Sequence, residues 1–315
     1  MPGIVAHHTF GIDVYDSCSQ IVGNVPDVID AFLLGNLGPD PFFYLMASPS
    51  SRSYRHIGQD MHRRRTPELL FAMHEYFIEN SQGGAGAART AYALGFLCHY
   101  LLDSGVHPLV YAQQDAICNP SIAGLSNEWS QRVAHATIET AFDERILTKR
   151  FGATVATMPP HKTMLRCSSS ALITISSAYA PALKKTYGES ISQTAFVSAV
   201  TLNRLAQQAL DSRGRGLRQR FDFLSGLGMA SAYIQALSLH NAARLQTPFA
   251  NDDHVAWKVP HSDGAVVSQS FDELFSHALK RAQEVLPAYA QPDFSLNDCR
   301  DLVDDVNFLG RTVEP

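Results

Sequence analysis

The chain has 315 residues, a formal net charge of -5, and 45% hydrophobic against 17% charged residues. This composition is typical of a soluble globular protein with enough chain for one large core or two smaller ones. The mildly acidic balance argues against nucleic acid as a bulk partner. The five cysteines lack C-x-x-C spacing and indicate reduced thiols rather than a disulfide framework. Thirteen histidines are the compositional anomaly.

The N-terminal residues read M-P-G-I-V-A-H-H-T-F-G, without the basic and apolar regions of a secretory signal. We therefore expect a cytoplasmic protein. The most apolar stretch, Ala91 to Pro108, has only about 12 apolar-dominated residues and is too short and too polar to span a membrane. No feature of the sequence indicates an oligomeric state.

Helical periodicity and boundary signals predict an all-α protein. Asn24-Val-Pro26-Asp27 marks a helix start and Gly35 a helix end, and Gly38 to Tyr44 (G-P-D-P-F-F-Y) is predicted as a loop. Strand signals are nearly absent. The predicted helices cover residues 10–21, 26–34, 66–80, 91–108, 127–149, 159–179, 193–213, 217–239, 270–289 and 296–306, with a turn at 81–86.

These elements predict a single domain, residues 1–315. Its metal-site core covers about 1–150, and a further helical part covers about 151–315. Residues 241–269 form a long irregular stretch, and a loop of that length in a compact domain is usually functional or a mobile flap.

Ala91 to Pro108 reads A-Y-A-L-G-F-L-C-H-Y-L-L-D-S-G-V-H-P, which is apolar on nearly every side and predicts a buried helix. His99 and Asp103 lie one turn apart on it and share a face. We expect His107 at its end, because proline disfavours helix at the residue before it. A buried imidazole and carboxylate must be paired or bound to a cation. The helix is therefore predicted to form one wall of a metal site, with a structural hydrogen bond between His99 and Asp103 as the alternative.

The other candidate ligands also carry imidazole or carboxylate groups, which are zinc ligands. Two zinc ions need roughly six protein ligands and three need roughly nine. Each member has a simpler alternative: His135 and Glu139 can be an exposed pair on one helix, and Asp40 can cap a turn between prolines. The full set is His7 or His8, Asp40, His62, His99, Asp103, His107, His135 and Glu139.

Four motifs carry a family resemblance: M-P-x3-A-H-H-T-F-G at the start, G-P-D-P-F-F-Y, H-x3-D-x3-H-P and the later H-x3-E. Their types and order resemble the zinc-dependent phospholipase C family, whose broader fold includes the single-strand-specific nucleases of the P1 type. The resemblance covers about residues 1–147. More weakly, Trp257 to Phe275 resembles the C-terminal part of intracellular bacterial members. The implied fold is a multi-helical bundle with a metal cluster in its core and extra C-terminal helices.

The resemblance also implies roles for the candidate ligands. Two or three zinc ions would be present, Asp103 would bridge two of them, and Asp40 would be a ligand or the general base. The spacing to Phe10 favours His7 over His8. The implied ligand sets are His62, His99 and Asp103 for one zinc, His7 and Asp103 for the second, and His107, His135 and Glu139 for the third.

Two features depart from the secreted members of the family. Those enzymes use a processed N-terminal tryptophan as a zinc ligand, and this chain has none. They also have a longer gap than the four residues between Asp103 and His107. The site at His7 is therefore expected to have fewer protein ligands.

The implied function is zinc-dependent hydrolysis of a phosphodiester, phospholipase C-like, with a phosphate ester such as a phospholipid as substrate. A P1-type nuclease or other phosphoesterase of the same fold is the alternative, and a non-catalytic zinc-stabilised helical module is the alternative from another class. Arg63, in an arginine-rich segment around His62, is predicted to bind substrate, although such a segment can simply be solvated. Trp257 is predicted to cover the substrate pocket, or else to pack its own loop.

Overall fold

A computed structural model describes residues 3–47, 54, 56–79, 83–118, 128–210, 233, 236–240 and 243–315. This part of the chain is almost entirely helical, which confirms the all-α prediction. The helices are α1 (Ile4–Val22), α2 (Pro26–Gly35), α3 (Ile57–Arg63), α4 (Thr66–His74), α5 (Gly83–Ile117), α6 (Glu128–Phe151), α7 (Pro160–Thr163), α8 (Ser169–Tyr187), α9 (Ala195–Leu210), α10 (Phe271–Tyr289) and α11 (Leu296–Val303).

Shorter elements complete the described ranges. Two 3₁₀ segments cover Asp40–Ala47 and Pro248–Ala250, and a π-helical turn, Glu75–Glu79, follows α4. The only sheet in these ranges is an antiparallel hairpin of β1 (Trp257–Lys258) and β2 (Val266–Val267). None of the described helices combines the length and apolarity needed to cross a bilayer.

The chain packs into two compact units, each built from three segments. The first unit comprises Met1–Ala6, Val106–Thr163 and Leu205–Leu274, and the second comprises His7–Gly105, Met164–Arg204 and Phe275–Pro315. That residues 1–315 form a single domain stays a prediction.

A cluster of buried aromatic side chains fills the core of the second unit. Tyr92 and Tyr179 are fully buried, and their hydroxyl groups are hydrogen-bonded at 2.6 Å. Tyr92 Oη also donates to the carbonyl of Gly38 at 3.3 Å. Phe42 and Phe196 pack against Tyr179 with ring centroids 5.0 and 4.8 Å away. The cluster therefore fixes the segment that leads into Asp40–Ala47.

Two glycines let α2 and α5 pack backbone against backbone. A Cβ at Gly35 would overlap the carbonyl of Tyr92, and one at Gly95 would overlap the carbonyl of Phe32. Only glycine permits this approach, because it has no Cβ. The approach places the end of α2 beside the face of α5 that carries His99.

In the first unit, α6 holds the 248–272 segment through a buried cation. Arg145 is 4% exposed and binds Asp252 through two nitrogens, at 2.6 and 2.9 Å, and Asp272 at 2.9 Å. Phe142 stacks on Phe271 with ring centroids 4.3 Å apart. The long segment predicted as irregular is therefore held at Asp252 and directly after its end, at Phe271 and Asp272, and contains the β1–β2 hairpin.

The predicted boundaries of the central helix are wrong. α5 begins at Gly83 within the predicted turn and continues through Pro108 to Ile117. A proline inside a helix costs about 3 kcal/mol, but Leu109 and Val110, which follow it, are buried. Burying such side chains contributes about 1.5–3 kcal/mol each. His107 therefore lies inside α5 and not at its end.

Other boundaries differ in smaller ways. α1 begins six residues before the predicted helix, and part of the predicted loop at residues 38–44 forms the 3₁₀ segment Asp40–Ala47. The helix predicted at 159–179 is interrupted, because Ser168 caps a new helix by accepting the amide of Ala171 at 3.3 Å. The predicted helix at 217–239 lies largely outside the described residues.

Candidate metal centre

Five buried side chains from four elements converge in the second unit. Asp103 Oδ1 lies 3.1 Å from His7 Nε2, while Asp103 Oδ2 lies 3.1 Å from His99 Nε2 and 3.8 Å from His62 Nε2. Asp40 Oδ1 lies 3.2 Å from His62 Nε2. All five residues are at most 5% exposed. We call this set the five-residue group: His7, Asp40, His62, His99 and Asp103.

The backbone fixes the orientation of two imidazoles in this group. His62 Nδ1–H donates to the carbonyl of Gly58 at 2.6 Å, and His99 Nδ1–H donates to the carbonyl of Asn36 at 3.0 Å. A carbonyl only accepts, so in each neutral ring Nε2 carries a lone pair. Neither Nε2 has an aligned hydrogen-bond partner in the described residues. Lone pairs that face carboxylates in a buried site are stabilised when a proton or a metal cation lies between them.

The carboxylates and imidazoles of the group also shift the pKa values of its histidines. Burial alone would lower the pKa of His99, but Asp103 and Asp40 outweigh it and raise that pKa. Burial and the charge of His99 lower the pKa of His7, although Asp103 opposes them. The two rings stack with centroids 4.1 Å apart, so a proton on one disfavours a proton on the other. A divalent cation can satisfy both rings and both carboxylates at once.

Gly38 lets the segment before Asp40 lie against His99. Its φ is +49°, and a Cβ there would overlap the His99 ring. Asp40 follows two residues later as the first residue of the 3₁₀ segment. The half-buried Phe43, three residues after Asp40, packs on His62 with ring centroids 5.1 Å apart.

The structure distinguishes the neighbouring histidines at the N-terminus. His7 belongs to the five-residue group, whereas His8 is absent from every described set of residues that can hold a metal. His8 is 5% exposed, and burial lowers its pKa to about 4. The His8 imidazole is therefore neutral near pH 7.

A second set lies in the first unit and repeats the same ring orientation. Glu139 Oε1 lies 3.0 Å from His135 Nε2 and 3.5 Å from His107 Nε2. His135 Nδ1–H donates to Gln114 Oε1 at 3.0 Å. We call His107, His135 and Glu139 the three-residue group.

The burial of Glu139 excludes the alternative of an exposed helical pair. Glu139 is 5% exposed. Burial would raise its pKa, but His135 and His107 outweigh burial and lower it. Burial lowers the pKa of His135, although Glu139 opposes it. This set can also hold a metal ion.

Asp143, one turn after Glu139, has a role that the sequence analysis did not assign. Its carboxylate accepts the amides of Val5 at 3.1 Å and Ala6 at 2.9 Å, and so caps the first turn of α1. A Cβ at Gly3 would overlap this carboxylate. Burial raises the pKa of Asp143 to about 8 although the two amides favour its charged form. The only sign of Asp143 in the sequence is that His135, Glu139 and Asp143 follow one another at four-residue spacing.

The two predicted substrate-binding residues are placed as follows. Arg63 is half-buried and directly follows His62 at the end of α3. Trp257 is half-buried in β1, and its indole N–H donates to the carbonyl of Gln269 at 3.0 Å, within its own loop. Their contacts with substrate stay predictions.

Comparison with known families agrees with this arrangement. The family model described as zinc dependent phospholipase C matches residues 6–195. No curated protein and no solved structure matches the chain. The family match covers more than half of the chain and includes all eight residues of the two groups. The chain therefore belongs to the zinc-dependent phospholipase C family.

Proposed function

We propose that this protein is a zinc-dependent hydrolase of phosphodiesters, of the phospholipase C type. The observation that carries the proposal is the orientation of His62 and His99. Both rings use Nδ1–H on a backbone carbonyl and direct Nε2 at buried carboxylates. A ligating histidine commonly has this second hydrogen bond, which fixes its tautomer. Imidazole nitrogen and carboxylate oxygen are also the donors zinc accepts.

The five-residue group would hold two ions with Asp103 between them. The two carboxylate oxygens of Asp103 face different histidines, Oδ1 toward His7 and Oδ2 toward His99. One ion would be held by His62, His99 and Asp103, and the other by His7 and Asp103. The three-residue group would hold a third. Sites with two or three protein ligands leave positions open, as in catalytic and unlike structural zinc sites.

When bound, zinc lowers the pKa of a coordinated water to about 7 and polarises phosphoryl oxygens. Asp40 would orient that water and accept its proton, because its carboxylate lies in the group, 3.2 Å from His62 Nε2. His62 and His99 would hold their positions through the bonds to Gly58 and Asn36. The low exposure of the group would exclude bulk water, so the charges of Asp40 and Asp103 would act at a low effective dielectric constant.

Metal analysis and a substrate panel test the proposal together. Protein expressed with sufficient zinc should carry two or more zinc ions per chain. It should hydrolyse bis(p-nitrophenyl) phosphate and p-nitrophenylphosphorylcholine, and removal of zinc should abolish both activities. Faster cleavage of single-stranded DNA than of either diester would instead favour a nuclease. Less than one equivalent of zinc would overturn the proposal.

The variant Asp40→Asn tests whether Asp40 is chiefly the general base or chiefly a metal ligand. The amide keeps the shape of the side chain but cannot accept a proton. We expect hydrolysis to fall by roughly 10²–10⁴-fold with zinc content and thermal unfolding unchanged. Asp253→Asn, at an exposed loop position, is the control and should have no effect. Loss of zinc together with activity would make Asp40 chiefly a ligand, and unaltered turnover would remove it from the mechanism.

A further inference from the structure

Residues 304–315 lie beyond the family match at 6–195, yet they reach the five-residue group. We call them the docking segment. Its Phe308 is fully buried, and the centroid of its ring lies 5.5 Å from that of His62 and 5.8 Å from that of His99. One side chain from this segment therefore packs against both imidazoles that the backbone orients.

The docking segment also binds the backbone directly after His62. The carbonyl of Arg63 accepts the side-chain amide of Asn307 at 3.3 Å and the backbone amide of Glu314 at 2.9 Å. The amide of Arg65 donates to the carbonyl of Glu314 at 2.9 Å. Asn307 is 1% exposed, so this bond is protected from water. The segment thus holds the end of α3 at Arg63 and the chain just after it at Arg65.

A second connection reaches α5 at the residue after His99. Tyr100 Oη donates to the carbonyl of Val306 at 2.9 Å, and its ring meets Phe308 edge to face at 5.0 Å. Phe96, one turn before Tyr100, also contacts Phe308, at 5.9 Å. The helix that carries His99 and Asp103 is therefore fixed against the segment as well.

The turn at the start of the segment has an uncommon backbone conformation. Asp304 and Asp305 have φ values of 47° and 59°, a left-handed region that L-residues rarely occupy. Such residues persist only where surrounding contacts determine their conformation. Tyr100 Oη supplies those contacts, because it binds the carbonyl of Val303 before this turn at 3.3 Å and that of Val306 after it at 2.9 Å.

We propose that Phe308 is a positioning residue for the metal centre, and that docking of residues 304–315 and metal binding at His62 and His99 are thermodynamically coupled. Each imidazole is held at Nδ1 by a backbone carbonyl and is packed on its face or edge by Phe308. Together these contacts restrict ring rotation and keep both Nε2 atoms directed at Asp103. By linkage, a metal ion that favours this orientation also favours the docked segment. The inference rests on the proposed zinc centre.

Phe308→Leu is the test variant, because leucine preserves an apolar core but removes the flat ring. Tyr289→Leu is the control, since Tyr289 is equally buried in the same unit but packs on His74 and Phe294. Zinc affinity is measured by competition with a chromogenic chelator, and geometry by the visible spectrum of the cobalt-loaded protein.

Phe308→Leu should weaken the zinc binding of the five-residue group by roughly 10–100-fold, as is typical for residues that support metal ligands. Its cobalt spectrum should change, whereas Tyr289→Leu should lower only the melting temperature. Zinc affinity and cobalt spectrum equal to those of the control would make Phe308 an ordinary core residue and overturn the inference. A wild-type protein that binds no zinc would instead overturn the proposed function.

Hydrogen exchange on the wild-type chain tests the coupling even if the variant does not fold. Zinc should slow exchange of the amides of Arg65 and Glu314, which bind across the docking contact. The amide of Ala171, capped by Ser168 in the same unit, is the control and should exchange at the same rate with and without zinc. Equal exchange at all three amides in zinc-loaded and metal-free protein would overturn the coupling.

Discussion

At the scale of single residues, Asp103 is the carboxylate on which the five-residue group depends, because its two oxygens face three imidazoles. In Asp103→Ala the three imidazoles lose the carboxylate that would bind the metal ions together with them. We expect zinc to be lost from this group and the melting temperature of zinc-treated protein to fall, since metal-binding free energy is also folding free energy. Metal analysis and calorimetry with and without chelator measure both effects. Full zinc content with an unchanged melting temperature would remove Asp103 as the bridge.

Gly38 offers a second prediction at this scale. Gly38→Ala introduces a left-handed alanine, which costs about 1–2 kcal/mol, and a methyl group that overlaps His99. Gly188→Ala has the same backbone problem, with φ +75°, but its methyl group meets nothing within 4 Å. Urea unfolding should show a lower free energy of unfolding for both variants, and only Gly38→Ala should also lose zinc. Equal zinc content in the two variants would show that the loop before Asp40 tolerates displacement.

The sequence indicated which side chains lie together, but not which backbone atoms bind them. Four-residue spacing identified His99 with Asp103 and His135 with Glu139, because helical geometry alone brings such pairs together. The bonds that orient the rings go to the carbonyls of Gly58 and Asn36. Every residue has a backbone carbonyl, so the sequence does not show which of them accepts a hydrogen bond. Phe308 was not predicted for a similar reason, since its contact with His62 depends on how distant segments pack.

At the scale of elements, the first turn of α1 depends on a carboxyl group supplied by α6. Asp143 has a folded pKa of about 8, whereas an unfolded aspartate has a pKa of about 3.9. The folded state therefore binds more protons between these values, and the free energy of unfolding should fall as pH rises from about 4 to 8. The slope contributed by this group is at most about 1.4 kcal/mol per pH unit.

Asp143→Asn should remove this slope, because the amide does not titrate. Urea unfolding of metal-free protein at several pH values measures the difference between the two chains. Metal-free protein is the appropriate sample, since a cation at Glu139 would itself lower the pKa of Asp143. Parallel pH profiles for wild type and variant would show that Asp143 titrates normally.

α5 shows where local rules fail. A proline usually ends a helix one residue earlier, and that rule placed His107 at a helix end. The helix instead continues to Ile117, because the buried residues after Pro108 gain more by packing than the lost hydrogen bond costs. Helix existence was predictable from periodicity, whereas this boundary depended on burial that only the folded chain defines.

At the scale of the whole molecule, the two candidate metal groups lie in different compact units. The side chain of His135 is 15% exposed, whereas those of His99 and Asp103 are at most 4% exposed. We therefore expect a chelator to remove zinc in stages. The two-ligand site at His7 and the more exposed three-residue group should lose zinc before the site at His62, His99 and Asp103. Glu139→Gln should remove the contribution of the three-residue group to the early stage, and His99→Ala should abolish the late stage, as measured by zinc release during titration. Release of all zinc in one step would contradict this order.

The all-α class and the family were predictable from the whole sequence, but the two units were not. Class follows from periodicity, and family from short motifs in a fixed order. The units each combine three separate segments, and such a division depends on contacts between residues far apart in the chain. Sequence periodicity reports only on near neighbours.

The packing of Phe308 against His62 and His99 also affects the order in which the metal centre forms during synthesis. During synthesis, the nascent chain exposes His7 early, whereas Phe308 leaves the ribosome about 300 residues later. Contacts between such distant residues form slowly, because a long loop must close before they are made. Until then the imidazoles lack the ring that holds them in place. A metal ion that met His62 and His99 before Phe308 docked would therefore bind imidazoles whose orientation was not yet restricted by that ring.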